Sequence, residues 1–299
     1  MRKLYTPSIE QKENAKHGES FFPIQRYITM LADDYPVVTT HWHEEAELTL
    51  ITQGNCQYQI DLINYEVNEG DILFVPPLLL HSISLSQSRQ LISETYVFHL
   101  NYIGANATDV CSTRYLTPIM NQELAMPCHI SHEHPAYASL RILFDKIADL
   151  YTNTPAGYEL ALKSLFIQVI FELIPYSSKV QLSDSKMSPG NGTPSDKLKN
   201  VLDYIEINYA GSISIPELAK LCYFSEYHFM RFFKKHMNMT CVEYINNLRL
   251  QKAVELFEQG NTSILDVSLS VGFHNLSYFH RAFKKRYNMT PHTFIKRLN

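Results

Sequence analysis

A chain of 299 residues is long enough for two domains with separate cores. Its 45% hydrophobic and 19% charged content argues against disorder, and the absence of a run of about 18 apolar residues argues against a membrane-spanning helix. The net charge of −4 divides unevenly: residues 1–194 hold 12 Lys and Arg against 21 Asp and Glu, whereas residues 195–299 hold 14 against 9. An acidic first part joined to a basic last third points to a polyanionic partner for the last third alone. The start, MRKLYTPSIEQKENAKHG, lacks the apolar core of a signal peptide. Five scattered cysteines without CxxC spacing read as reduced, packed thiols, so the expected location is cytoplasmic.

Residues 20–100 carry short β-rich runs, Glu47–Thr52, Cys56–Ile60, Ile72–Val75 and Glu94–His99, separated by turn signals such as Gln53-Gly54-Asn55 and Glu69-Gly70-Asp71. This spacing predicts a small barrel or sandwich. Within it, residues 41–54 read HWHEEAELTLITQG and place His41, His43 and Glu47 at odd positions, on one face if the segment is one strand. His81 closes the run GDILFVPPLLLH. Imidazole plus carboxylate suits Zn, Fe or Ni. Three readings stay open for these four residues: a catalytic divalent metal site, a metal used structurally or for ligand capture, or the polar lining of an effector pocket. Nearby Trp42, Tyr58, Phe74, Tyr96 and Phe98 are either core or a stacking surface for a sugar.

Two helical patterns follow. Tyr137–Tyr151 aligns Leu140, Leu143, Phe144, Ile147 and Leu150, and Tyr158–Ile174 aligns Leu162, Leu165, Phe166, Val169, Ile170 and Leu173. Such stripes serve either a core or a homodimer seam. Ser177–Pro194 is rich in Ser, Gly and Pro and reads as a linker, taken as 177–192. It divides a sensing domain, 1–176, from a second domain, 193–299. In the second, seven helix starts crowd into 105 residues: Thr193-Pro194, Ser214–Glu217, Ser225, Thr240–Glu243, Ser263–Asp266, Asn275 and Thr290-Pro291. A compact all-helical unit is expected.

That unit repeats itself. Phe233–Thr240 reads FKKHMNMT and Phe283–Thr290 reads FKKRYNMT, each ending a helix–turn–helix pattern at about 215–236 and 264–287. On the second helix of the first copy, Phe229, Phe232 and Phe233 face the core while Tyr227, Met230, Arg231 and Lys234 form the opposite stripe. In the second copy Phe279 and Phe283 face in, and Ser277, His280, Arg281 and Lys284 face out. Arg231 and Arg281 suit bidentate contact with guanine. Lys234, Lys235, Lys284 and Lys285 suit phosphate, without regard to sequence. The joining segment, Val242–Glu258, patterns as one helical strut with Tyr244, Leu248, Val254 and Phe257 turned inward.

Ile264–Leu298, ILDVSLSVGFHNLSYFHRAFKKRYNMTPHTFIKRL, and Leu218–Thr240, LAKLCYFSEYHFMRFFKKHMNMT, strongly resemble the AraC/XylS family of bacterial transcription regulators. The resemblance spans Thr193–Asn299 and implies that Tyr227, Met230, Arg231, Ser277, His280 and Arg281 face DNA bases. Tyr223 departs from it, standing where the first turn often has a small residue, and Ser268 stands where Ala is usual. The pair HxHxxxE and GxxxxxP with its His resembles both cupin motifs and the cupin-type sensor of many AraC relatives. The expected protein is therefore a two-domain, mixed-class regulator of double-stranded promoter DNA: a cupin-like β-barrel with two following helices, then an all-α domain with two helix-turn-helix motifs. Its partners would be a small-molecule effector, a second copy and RNA polymerase. A cupin metalloenzyme fused to a nucleic-acid domain and a non-specific architectural DNA binder are the rival readings.

Overall fold

The computed structural model describes residues 17–19, 21–33, 37–86, 89–180 and 192–298. It divides into two compact units. The first is a β-sandwich with two helices on its outside. Strands β1 (Ile24–Ala32), β8 (Gln90–Phe98), β3 (Ala46–Gln53), β6 (Ile72–Val75) and β10 (His129–Ile130) form one antiparallel sheet in that order. Strands β2 (Val37–His41), β7 (His81–Leu85), β4 (Cys56–Ile60) and β5 (Ile63–Val67) form the other.

The first sheet is covered on both faces, and its sequence alternates between two destinations. Ala46, Leu48 and Leu50 of β3, Ile72 and Phe74 of β6, and Tyr96 and Phe98 of β8 share a core with the single turn α1 (Thr117–Met120) and with helices α2 (Tyr137–Asn153) and α3 (Tyr158–Leu173). Between those residues, Ile51, Leu73, Val75 and Leu91 face the second sheet and meet Cys56, Tyr58, Ile60, Val67 and Ile83. This is why β3 reads as an almost continuous apolar run. The stripes expected on the two helices are core: every named residue is buried except half-buried Leu150. Phe98 stacks on Phe166 at 4.2 Å, so Phe74, Tyr96 and Phe98 are structural rings and offer no stacking surface to a sugar.

Three sequence expectations change. Strands β1, β2, β5 and β7 were not among the four runs anticipated. His41, His43 and Glu47 do not share a strand, because β2 ends at His41 and β3 begins at Ala46. The start of the expected linker is structured: β11 (Ser178–Lys179) pairs with β9 (Leu124–Ala125). Residues 181–191 of that linker lie outside the described residues.

The second unit is helical throughout: α4 (Pro194–Asn208), α5 (Ile215–Leu221), α6 (Glu226–Met237), α7 (Cys241–Glu258), α8 (Ile264–Ser270), α9 (Leu276–Tyr287) and α10 (Pro291–Leu298). All seven starts carry the expected chemistry. Thr193, Ser214 and Thr240 form reciprocal capping boxes with Asp196, Glu217 and Glu243. Ser225, Ser263, Asn275 and Thr290 each accept a backbone N–H from three residues on. No helix among the described residues is long and apolar enough to cross a membrane.

Candidate nucleic-acid interface and barrel cluster

Five positions shared by the two octapeptides have a defined task. Phe233 and Phe283 are fully buried in their respective cores. Lys234, Lys235, Lys284 and Lys285 are exposed. Asn238 and Asn288, at φ +54° and +55°, stop α6 and α9 in the left-handed conformation that Asn tolerates best among side-chain-bearing residues. Thr240 and Thr290 then cap the next helix. The sequence pattern anticipates the buried Phe and the exposed Lys pair but not the Asn stop, although the identical Asn in both copies was the available signal.

The early turns of α6 and α9 present different faces. Tyr227 and Met230 are 67% and 48% exposed, and Arg231 is exposed beside them. The Arg231 guanidinium donates to the Tyr227 hydroxyl at 3.3 Å and lies 5.6 Å from its ring centroid, so the two side chains orient one another. On α9, Ser277 and Arg281 are exposed and His280 is half-buried against Phe279. Phe229, Phe232, Phe279 and Phe283 hold the opposite faces in the core.

Both turns require a left-handed residue. Gly272 supplies it in the second copy at φ +92°, and Tyr223 supplies it in the first at φ +56°. An added Cβ at Gly272 would lie 2.8 Å from the Ala210 carbonyl oxygen, whereas Tyr223 is 62% exposed. The departure noted in sequence is thus accommodated at a conformational cost without a clash. Ser268 is buried and donates to the Leu265 carbonyl, which satisfies its hydroxyl within its own helix.

In the sandwich, two sheets and the link between them bring four side chains together. His41 and His81 are directly opposed on β2 and β7. Glu47 comes from β3 in the other sheet, and His43 from the crossing segment. One ligand-type atom from each lies within 4.8 Å of all the others. The Nδ1 atoms of His41, His43 and His81 lie 2.9, 3.1 and 2.8 Å from the carbonyl oxygens of Thr39, Glu45 and Leu79. These contacts anchor each ring through Nδ1 and leave the Nε2 atoms of His43 and His81 facing the Glu47 carboxylate. His43 Nε2 is 3.0 Å and His81 Nε2 3.6 Å from Glu47 Oε1, while the Tyr58 hydroxyl donates to Oε2 at 3.3 Å. The Tyr58 contact was not anticipated.

Electrostatics favour the neutral imidazole at His41 and the ionised carboxylate at Glu47. Burial, aided by neighbouring His81, pushes His41 down to about 3. Burial works to raise the Glu47 carboxyl, but His81 and His43 outweigh it and hold the group well below the usual carboxylate range. His81 Nε2 is buried without a hydrogen-bond partner. Imidazole lone pairs oriented by backbone carbonyls around an ionised carboxylate fit a divalent cation. Two cavities of about 620 and 580 Å³ lie elsewhere, one along α2 and α3 and one beside Phe22, Tyr102 and Tyr158.

Comparison with known proteins assigns both units. Residues 27–170 match the AraC-like ligand binding domain and residues 218–297 match a helix-turn-helix domain. YdeC of Bacillus subtilis, an uncharacterised helix-turn-helix transcriptional regulator, is 25% identical over 287 residues, covering 95% of this chain and 96% of that one. RhaS of Mannheimia succiniciproducens, a helix-turn-helix transcriptional activator, is 22% identical over 251 residues, covering 84% and 87%. The structure of ToxT from Vibrio cholerae aligns over 91% of this chain and 98% of that chain, with 13% identity and a TM-score of 0.40. The chain belongs to the AraC family of DNA-binding transcription regulators, with a ligand-binding domain ahead of its helix-turn-helix domain.

Proposed function

We propose that this regulator reads a two-part, non-palindromic DNA site in which α6 and α9 each enter a major groove. Tyr227, Met230 and Arg231 meet bases in one part, and Ser277, His280 and Arg281 in the other. Lys234, Lys235, Lys284 and Lys285 neutralise phosphates at both. The observation carrying this reading is the matched register of two exposed basic helices whose lysines repeat and whose preceding turns differ. A mobility-shift titration of the full chain on a duplex selected from a random pool tests it. Binding should survive excess random competitor, and equal competition by random duplex would reduce the protein to an architectural binder.

In the sandwich, His41, His43, Glu47 and His81 hold a divalent metal next to a small polar effector, which is the ligand-capture reading of the four residues. When bound, the metal supplies Lewis-acid coordination to effector oxygens. A sugar suits the neighbouring interior. Thr49 and Thr95 are opposed and hydrogen-bonded at 2.8 Å, and the fully buried Ser93 hydroxyl on the same face lacks a protein partner. The runner-up, a cupin metalloenzyme, requires turnover of a sugar that binds. A thermal-shift screen of sugars and metals, followed by product analysis of each hit, separates the two.

The protein acts as a cytoplasmic homodimer. Leu160, Ile167 and Phe171 lie exposed on α3 at a four-three rhythm completed by Ser164, the spacing of a helix-pair seam. Effector binding alters how the two copies occupy a promoter, and contact with RNA polymerase follows where the site adjoins it. Such coupling requires the effector to favour one arrangement of the dimer over another.

A further inference from the structure

We infer that Arg249, at the middle of α7, is a positioning residue that locks α9 against the first helix-turn-helix and so fixes the spacing at which a two-part site is read. This rests on the proposal that both α6 and α9 enter DNA.

Helix α7 contributes to both helical cores. Tyr244 meets Phe233 of the first copy at 5.7 Å, and Phe257 meets Phe283 of the second at 6.2 Å. Apolar contacts of this kind set distance but carry little directional preference. The directional contacts lie between those ends. Arg249 Nε donates to the Tyr209 carbonyl at 2.7 Å and Nη2 to the Gly211 carbonyl at 2.8 Å. These carbonyls follow the C-terminus of α4, where a fixed positive charge also complements the helix dipole. The same guanidinium lies 5.9 Å from the ring centroid of Phe273, in the turn between α8 and α9.

The turn itself is seated on this contact. A Cβ at Gly272 would lie 2.8 Å from the Ala210 oxygen and 2.9 Å from both the Tyr209 oxygen and Arg249 Nε. Only glycine allows so close an approach at this φ. Tyr209 packs its side chain on the second core, although it ends a helix that packs with α5 of the first copy. Three residues before Arg249 on α7, Asn246 donates to the Tyr278 hydroxyl in the first turn of α9 at 2.9 Å. One short stretch of α7 therefore holds the end of α4, the second turn and the start of α9. The first turn meets α4 instead through Lys197, 4.8 Å from the Phe224 ring centroid, and leaves Tyr223 exposed.

The test uses the full chain and duplexes selected by the wild-type protein from a random pool. Hydroxyl-radical footprinting identifies the protected segments, and binding is then measured on the selected duplex, on one with the α9 segment scrambled, and on one with a base pair inserted between segments. Arg249→Met should bind the intact duplex about tenfold more weakly and the scrambled one within about twofold of wild type, because only linked binding is lost. Insertion should weaken the wild type about tenfold and Arg249→Met by about threefold or less. Asn246→Ala should shift both ratios the same way, and Arg249→Lys should recover part of the loss. Equal weakening of Arg249→Met on intact and scrambled duplexes, or an unchanged insertion penalty, would overturn the inference. If the wild type protects a single segment, the two-helix reading fails instead, and Arg249 loses its proposed role with it.

Discussion

Replacing Tyr223 by Gly and by Ala separates backbone strain from side-chain packing in the first helix-turn-helix. Both changes remove the same ring, and they differ only in the Cβ that resists φ +56°. A left-handed L-residue costs about 1–2 kcal/mol. Glycine gives back about 0.5–1 kcal/mol through its greater freedom in the unfolded chain. The Gly variant should therefore exceed the Ala variant by about 1 kcal/mol, equivalent to a few degrees in the melting of a unit this size. The assay can report each unit separately. Trp42, the single tryptophan, lies in the sandwich, so its fluorescence follows that unit, while ellipticity at the helical wavelength follows mainly the second unit. The ellipticity midpoint should rise from Ala to Gly with the fluorescence midpoint unchanged. An Ala variant as stable as the Gly variant would refute the strain argument.

Metal analysis of the purified full chain should find about one equivalent of a first-row divalent metal, and Glu47→Gln or His81→Ala should lower affinity about 10–100-fold or more. Thr240→Ala should cost about 1 kcal/mol in the same ellipticity assay, since it removes the cap of α7. Hydrogen bonds from the Thr240 backbone and side chain hold the Glu243 carboxyl below its usual range. A depressed folded-state value means that this contribution is present above the unfolded value of about 4.3 and is lost as pH falls through the folded one. Glu243→Gln should therefore flatten the acid limb of the stability profile. Phe171→Glu should convert a dimer to a monomer in sedimentation while leaving the far-UV spectrum unchanged. A dimer that persists would remove α3 as the seam.

The helical unit was legible because its signals are local. Caps at Thr193, Ser214, Thr240 and Asn275 act within three residues of themselves, and the Phe periodicity of α6 and α9 is a one-helix property. The sandwich was legible where a strand is buried, as in β3, β6 and most of β8, or alternates cleanly, as in β4. Among the strands not anticipated, β1, β2 and β5 are sheet edges, paired on one side and partly exposed, so their alternation is weak. The pattern HxHxxxE and the later His81 named four side chains that the sandwich does bring together, though not along one strand: a strand break brings His43 inward from between two sheets. Arg249 gave no local signal, since its role depends on carbonyls 38 and 40 residues earlier.

The central claim is that sequence is read where the two copies differ and that the repeated lysines only hold phosphate. Binding of Arg281→Ala and Lys285→Ala to the selected duplex, to single-base variants of it and to random duplex, across a salt series, tests this most directly. Arg281→Ala should lose about 1–3 kcal/mol on the selected duplex and relax preference at one base pair. Lys285→Ala should weaken every duplex alike and reduce the salt slope by about one. Equal losses by both variants on selected and random DNA would contradict the account.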